Sequence, residues 1–328
     1  MMRWLLGGVC YLSLCLPLMS FAQAELQLGQ RDGMFWLGRV VAAAREQSYS
    51  GTFVYRNGVH SETSRITHVV DHGKEYERLE VLDGSPREVI RNNEEVKCYL
   101  PESRTLIIEK RSQHSSFPVL LPTSLAGLGE YYSIRKGPTG RVADRDSQAV
   151  LLEPKDELRY GHQFWVDMNS GLLLKAGMLN ERGETVETFA FTQLQVGGMF
   201  DRAALKSKFS EQSGGWHVHH VQATEARGKD DAWLFKVQLP GFRKLAGMKR
   251  ISHGGDKTES MHMVFSDGLA AISVFIESLS GQPDLGFASL GAINVYQRAL
   301  GDQLITVMGE VPRATLKKFG DGIELRRK

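Results

Sequence analysis

Residues Gly161 to Lys175 read GHQFWVDMNSGLLLK, and two structures compete for this stretch. Its centre, Asp167-Met168-Asn169-Ser170-Gly171, resembles the opening of a calcium loop and equally suits a tight reversal between strands. A calcium loop of the EF-hand type needs further oxygen ligands and a closing Glu. Here Gly171 is followed by Leu172, Leu173 and Leu174, which offer no ligand. The stretch is therefore expected to join two antiparallel strands. No metal and no cofactor is expected.

Outward from this turn the chain reads as sheet. Strands are expected at Gly51–Arg56, Glu62–Val70, Glu75–Leu82, Arg87–Arg91, Glu95–Tyr99 and Arg104–Glu109, then at Ala149–Glu153, Tyr160–Met168, Leu172–Leu179 and Thr185–Val196. They recur at short intervals with turn residues between them, which is the pattern of a meander. Asn57-Gly58 reads as a hairpin turn. Upstream, Asp32 is expected to cap a helix running to about Gln47, with Met34, Leu37, Val40, Val41 and Ala44 on one apolar stripe. His114–Tyr132 reads as an apolar connection, part helix and part loop.

From Gly197 the composition turns to glycine and charge, so 201–229 is expected to be a loosely packed linker between residues 25–200 and a smaller unit at 230–328. In that unit strands are expected at Trp233–Val237, Leu245–Ile251, Met261–Phe265, Ile272–Glu277, Asn294–Ala299 and Leu304–Gly309. Pro312–Phe319 reads as a closing helix.

The 328 residues carry 40 Lys+Arg against 38 Asp+Glu, a balance that gives no electrostatic ground for binding nucleic acid. Residues 1–24 read as a secretory signal: Arg3, then the apolar run Trp4–Met19, then Ala22-Gln23-Ala24 before the cut. Cys15 follows Leu14, which departs from a lipoprotein site. Cys10 and Cys15 would leave with the signal. Cys98 would remain alone, a small strand hydrophobe unable to form an intrachain disulfide. The exported chain is expected to be soluble.

Chemistry is sparse. There is no G-x-S-x-G, no H-E-x-x-H, no P-loop, and no nucleophile set beside a base. An enzyme is not expected. In His217-Val218-His219-His220, residues 217 and 219 would share a strand face, but a third metal ligand would have to come from far away. What remains is a long twisted sheet that curls without closing, leaving an apolar trough partly filled by the helix. Its expected lining is Phe53, Tyr55, Leu79, Ile90, Tyr99, Ile107, Leu152, Phe164 and Val166. Arg78, Arg87 and Arg91 are candidates for a phosphate on a lipid head group, because a guanidinium matches phosphate geometry.

Several stretches together resemble one family. They are Tyr49-Ser50-Gly51-Thr52-Phe53-Val54-Tyr55, Leu82-Asp83-Gly84-Ser85-Pro86-Arg87-Glu88-Val89, Tyr160 to Lys175, Leu239-Pro240-Gly241-Phe242, Phe265-Ser266-Asp267-Gly268-Leu269 with Ser273-Val274-Phe275-Ile276-Glu277, and Val307-Met308-Gly309-Glu310-Val311-Pro312. In this order they are similar to the RseB/MucB family, periplasmic negative regulators of the envelope-stress sigma factor. The resemblance implies an α+β protein. Its larger domain would be an unclosed antiparallel barrel of the LolA/LolB type with helices over the mouth, and its smaller C-terminal domain would be α+β. It implies binding to the periplasmic region of a membrane-spanning anti-sigma factor (RseA/MucA-like), shielding that region from a regulatory protease, and release by a lipid or lipopolysaccharide-type ligand. It carries over no catalytic residue. A periplasmic lipid or lipoprotein carrier is the alternative, and a homo-oligomer stays open.

Overall fold

Alternation of apolar and polar residues turns most of the chain into strand, and helices appear where the period changes to that of one buried stripe. The computed structural model describes residues 19–110, 121, 125–221, 224–225, 232–251 and 259–326. Most of the expected signal and most of the 114–132 connection lie outside these residues.

The elements are α1 (Met19–Glu46), β1 (Tyr49–Asn57), β2 (His60–Asp71), β3 (Lys74–Val81), β4 (Glu88–Arg91), β5 (Glu95–Leu100) and β6 (Thr105–Lys110). There follow α2 (Leu128–Tyr131), β7 (Tyr132–Val142), β8 (Arg145–Pro154), β9 (Gly161–Asp167), β10 (Leu173–Leu179), β11 (Thr185–Val196) and β12 (His217–Val221). The remainder are β13 (Thr224–Glu225), β14 (Trp233–Phe235), β15 (Arg243–Ile251), β16 (Glu259–Ser266), β17 (Ala271–Ser278), β18 (Gly286–Leu290), β19 (Ile293–Leu300), β20 (Gln303–Gly309), α3 (Arg313–Asp321) and β21 (Ile323–Leu325).

Among the described residues the first unit is a 12-stranded sheet in the order β12-β6-β5-β4-β3-β2-β1-β11-β10-β9-β8-β7. The order is linear, so the sheet is open, with β12 and β7 as its edges. Helix α1 lies on its inner face against β7, where a Cβ added to Gly33 would come within 2.9 Å of Ile134. Leu37, Val40 and Ala43 of α1 pack with Phe53, Ile134, Leu152, Phe164, Val166, Phe189 and Phe191 in one core. The second unit is a 7-stranded sheet, β13-β15-β16-β17-β20-β19-β18, with the β14-β21 pair beside it. Its separate core includes Met263, Ile272, Val274, Ile305 and Val307 under Leu316 and Phe319 of α3.

The stretch 161–175 is the reversal between β9 and β10. Arg39 of α1 holds it, donating to the carbonyls of Met168 and Asn169, each at 2.8 Å. Gly171 has φ +79°, and a Cβ there would lie 3.1 Å from the Arg39 carbonyl oxygen, so the turn needs glycine twice over. The Asp167 carboxylate accepts from Arg145 Nη2 at 3.1 Å and from the Ser170 amide and hydroxyl. Burial pushes its pKa up, but these bonds outweigh burial and hold it below the usual range. The Asp167 Oδ2 that a calcium loop would use is thus taken by the protein's own donors, while Oδ1 is buried without a hydrogen-bond partner among the described residues.

Two expectations are corrected and two features are added. Asp32 caps no helix: α1 begins at Met19 and runs through it, because residues 25–31 hold no breaker stronger than Gly29. β7 was not foreseen, since Gly137, Pro138 and Gly140 interrupt its alternation; the chain absorbs them in a register shift between Lys136 and Thr139. β1 keeps Asn57, so the hairpin turns on Gly58-Val59, with Asn57 opposite His60. Residues 201–221, mostly exposed, are tied to the first sheet. The Lys208 amide donates to Glu88 at 3.0 Å, Arg78 donates to the Ala204 carbonyl, and β12 joins the sheet parallel to β6.

Asp167→Ala removes the acceptor shared by Arg145 and Ser170 and is expected to cost about 2 kcal/mol. Thermal melts check this, and added calcium should leave the melting temperature of both proteins unchanged.

Candidate functional site

Strand register sorts the expected trough residues onto two faces. Gly51, Ile66, Leu79, Val89, Cys98 and Ile107 oppose one another in turn from β1 to β6, so they share the inner face. Leu79, Val89, Cys98 and Ile107 are half-buried and form an apolar row beyond the part of the sheet that α1 fills. Phe53, Leu152, Phe164 and Val166 also face inward but are wholly buried in the core, with Tyr55 and Leu79 at its margin. Ile90 and Tyr99 are one residue out of phase. They stand opposite Arg78 and Glu88 on the outer face, where Tyr99 packs on Trp216 and Trp216 on Phe209. Strand periodicity of two allows no other outcome once Leu79 points inward.

The three arginines divide likewise. Arg78 is on the outer face, 2.9 Å from Glu88. Arg87 and Arg91 share the inner face with Val89. Arg87 pairs with Glu62 at 3.1 Å and Arg91 with Glu77 at 2.5 Å. Each is already balanced by a carboxylate, so a phosphate would have to displace or share it. Beside Arg91 lies a polar end to the apolar row that sequence reading missed. His68 stacks on Tyr49 at 5.1 Å and stands 3.9 Å from Glu77. Neither of its buried ring nitrogens has a hydrogen-bond partner among the described residues. Burial, then Glu77 and Glu75, push the Tyr49 hydroxyl up. Burial also pushes up the Cys98 thiol, against the nearby Arg87 and Arg91. Aligning the alternations of β2 to β6 would have found Val89, Cys98 and His68; no local motif marks them.

The second place of interest is the seam between the units. Arg159, in the loop between β8 and β9, is wholly buried there. It pairs with Asp156 at 2.9 Å and with Asp267 of the second unit, and donates to the Pro240 carbonyl at 2.6 Å. The rings of Tyr131 and Phe242 lie 4.9 and 5.1 Å from its guanidinium. Tyr132 also donates to Asp267, at 3.1 Å, while Asp267 accepts the amides of Leu269 and Ala270 and so shapes the β16–β17 turn. Alongside, a cavity of about 570 Å³ is lined by Tyr131, Phe235, Leu239, Phe242, Phe265 and Phe319, with Arg243 on its wall.

Among the described residues no group of three His, Cys, Asp or Glu is placed to hold a metal. His217 and His219 are exposed on β12. An open sheet with an apolar inner row, docked through a buried ion pair onto a second sheet unit, defines a two-part binding protein. The MucB/RseB N-terminal domain pattern matches residues 32–209 and the C-terminal domain pattern residues 227–324. This chain belongs to the MucB/RseB family, a family of regulatory binding proteins. It is 35% identical over 298 residues to the sigma factor AlgU regulatory protein MucB of Pseudomonas aeruginosa, covering 88% of this chain and 89% of that one. It is 25% identical over 328 residues to the sigma-E factor regulatory protein RseB of Haemophilus influenzae, covering 96% and 97%. Among solved structures, the Pseudomonas aeruginosa MucA/MucB complex aligns with TM-score 0.72 and 29% identity over 90% of this chain and all of that one.

Arg159→Ala strands Asp267 and is expected to cost about 3–5 kcal/mol, the usual penalty for breaking a buried pair. Calorimetry should show the units melting apart, and Arg159→Lys should not restore the single transition, because an ammonium cannot serve Asp156, Asp267 and the Pro240 carbonyl in one plane.

Proposed function

We propose that this chain is a periplasmic regulator that grips the periplasmic region of a membrane anti-sigma factor, shields it from regulated proteolysis, and lets go when a lipid-type ligand occupies the inner face of the first unit. The observation that carries this is full-length likeness, both units included, to a MucB captured in complex with the periplasmic part of MucA, with TM-score 0.71 and 30% identity over 90% of this chain. Units at 25–200 and 230–328 with a connector at 201–229 fit that likeness. A simple carrier needs only the open sheet; the second unit, joined through Arg159 and Asp267, favours the regulator.

The groove supports the lipid arm. Its half-buried row Leu79-Val89-Cys98-Ile107 suits an acyl chain, and the Arg91, Glu77 and His68 flank suits a polar head, with Arg87 and Glu62 on the opposite flank of the row. Release is then a matter of linkage: a lipid weakens the partner complex by the difference of its affinities for the free and gripped forms, and each tenfold difference is worth about 1.4 kcal/mol. Phe53, Leu152, Phe164 and Val166 would support the groove from beneath.

Cys98 offers a built-in reporter. Labelling by a maleimide should slow several-fold when the protein is mixed with lipopolysaccharide, and an immobilised anti-sigma periplasmic fragment should release the protein over the same concentrations. Ile107→Glu should keep the fragment affinity within about threefold while lowering lipid-driven release about tenfold, as an ionised side chain in an acyl path costs more than a kilocalorie. No capture of the protein by the fragment at micromolar concentration, with lipid still carried between vesicles, would return the carrier to first place.

A further inference from the structure

The units meet a second time, at the tip of β1. Asn57 stands opposite Glu187 in the β1–β11 pair, and its Oδ1 accepts the Ala292 amide of the second unit at 2.6 Å. Gly58 backs onto Gly291 so closely that an added Cβ would lie 3.0 Å from the Gly291 Cα. Asn294 donates to the Tyr160 hydroxyl at 3.0 Å and to the Val311 carbonyl at 2.9 Å. It also stands opposite Gly309, the residue before Glu310. These contacts bring Glu187 of the first unit and Glu310 of the second to one seam, where the Glu310 charge acts on Glu187.

The surroundings do not neutralise the pair. Tyr55 hydrogen-bonds to Glu187 and accepts from Asn57 Nδ2 at 3.2 Å. Glu187 Oε2 is buried with no hydrogen-bond partner among the described residues. From β10 the residue opposite Glu187 is Met178, which is uncharged. Met178, Tyr160, Ala292 and Val186 form a small apolar cluster beside it. On β2, Glu62 stands opposite Tyr55 but is taken by Arg87. On α3, Arg313 is taken by Ser289 at 2.8 Å, by Asn294 and by the Phe287 ring.

We propose that Glu187 and Glu310 are a proton-operated latch between the two units: sharing a proton they let the units dock, and on losing it they repel and loosen the dock. Burial and then the charge of Glu310 push the Glu187 carboxyl up to about 7, against the Tyr55 hydrogen bond, and burial raises Glu310 as well. Carboxyls raised in the docked state bind protons more tightly there than when separated. Docking is therefore strongest below the ordinary Glu range near pH ~4.3, weakens as pH climbs through about 7, and levels off above. The consequence for signalling rests on the proposed two-unit grip on the anti-sigma segment; the latch itself does not.

The test uses the full chain with Cys10, Cys15 and Cys98 replaced by serine and nitroxide labels on Val59→Cys and Leu290→Cys, both exposed, on opposite sides of the seam. Pulsed electron resonance should give one short distance at pH 5.5, and at pH 8.5 a longer population enriched roughly tenfold, the equivalent of one pKa unit. Glu187→Gln and Glu310→Gln should each hold the short distance at both pH values. A wild-type distribution that ignores pH, or one that shifts equally in both Gln variants, overturns the latch. Affinity for the anti-sigma fragment is measured in parallel: no binding at either pH sinks the proposed function and leaves the latch standing.

Discussion

A guanidinium with no exposure to water must find its counter-charges inside the protein, and that requirement sets how this molecule is assembled. Arg159 reaches from a loop of the first sheet for a carboxylate that only the second sheet supplies. Left without Asp267, the buried cation would cost several kilocalories per mole. The docking geometry is therefore specified in part by charge and directed hydrogen bonds. Tyr131 and Phe242 add ring faces to the same cation, and Tyr132 adds a donor to the same anion. Asp267 in turn shapes the turn that presents it, so local and long-range structure reinforce each other.

Around that joint the first sheet divides its inner face by use. The part spanned by β1 and β7 to β11 is packed under α1, with Leu37, Val40 and Ala43 against strand residues of matching size. The part spanned by β3 to β6 keeps the apolar character without the packing. A residue on the first part serves stability, and a residue on the second lies half-buried along the open stretch of the same face. The same alternation wrote both, which is why composition alone could not tell Phe53 from Ile107.

Much of the architecture was legible from residue pattern. The open sheet, the smaller second unit and the turn at Asp167–Gly171 all follow from alternation and turn chemistry. What escaped has specific causes. β7 hides behind Gly137, Pro138 and Gly140. Asn57 stays in its strand because its side chain has business with Ala292, a partner 235 residues away. Ile90 and Tyr99 were placed in the trough by hydrophobicity, and only register against β3 reveals that they face outward. Arg159 and Asp267 lie in unrelated loops, 108 residues apart, and nothing in either loop announces the other. Pattern reaches neighbours in a strand or helix; it does not reach ion pairs closed by tertiary folding.

An open sheet leaves two rows of backbone amides and carbonyls that invite a second copy to zip on. Here both rims are blunted. On β7 the irregularity at Lys136–Thr139 includes a proline that has no amide to give. On the other side β12 adds a five-residue strand running parallel to its neighbour, three of whose residues are histidines. The protein can thus stay unclosed, hollow included, without becoming a template for its own fibre.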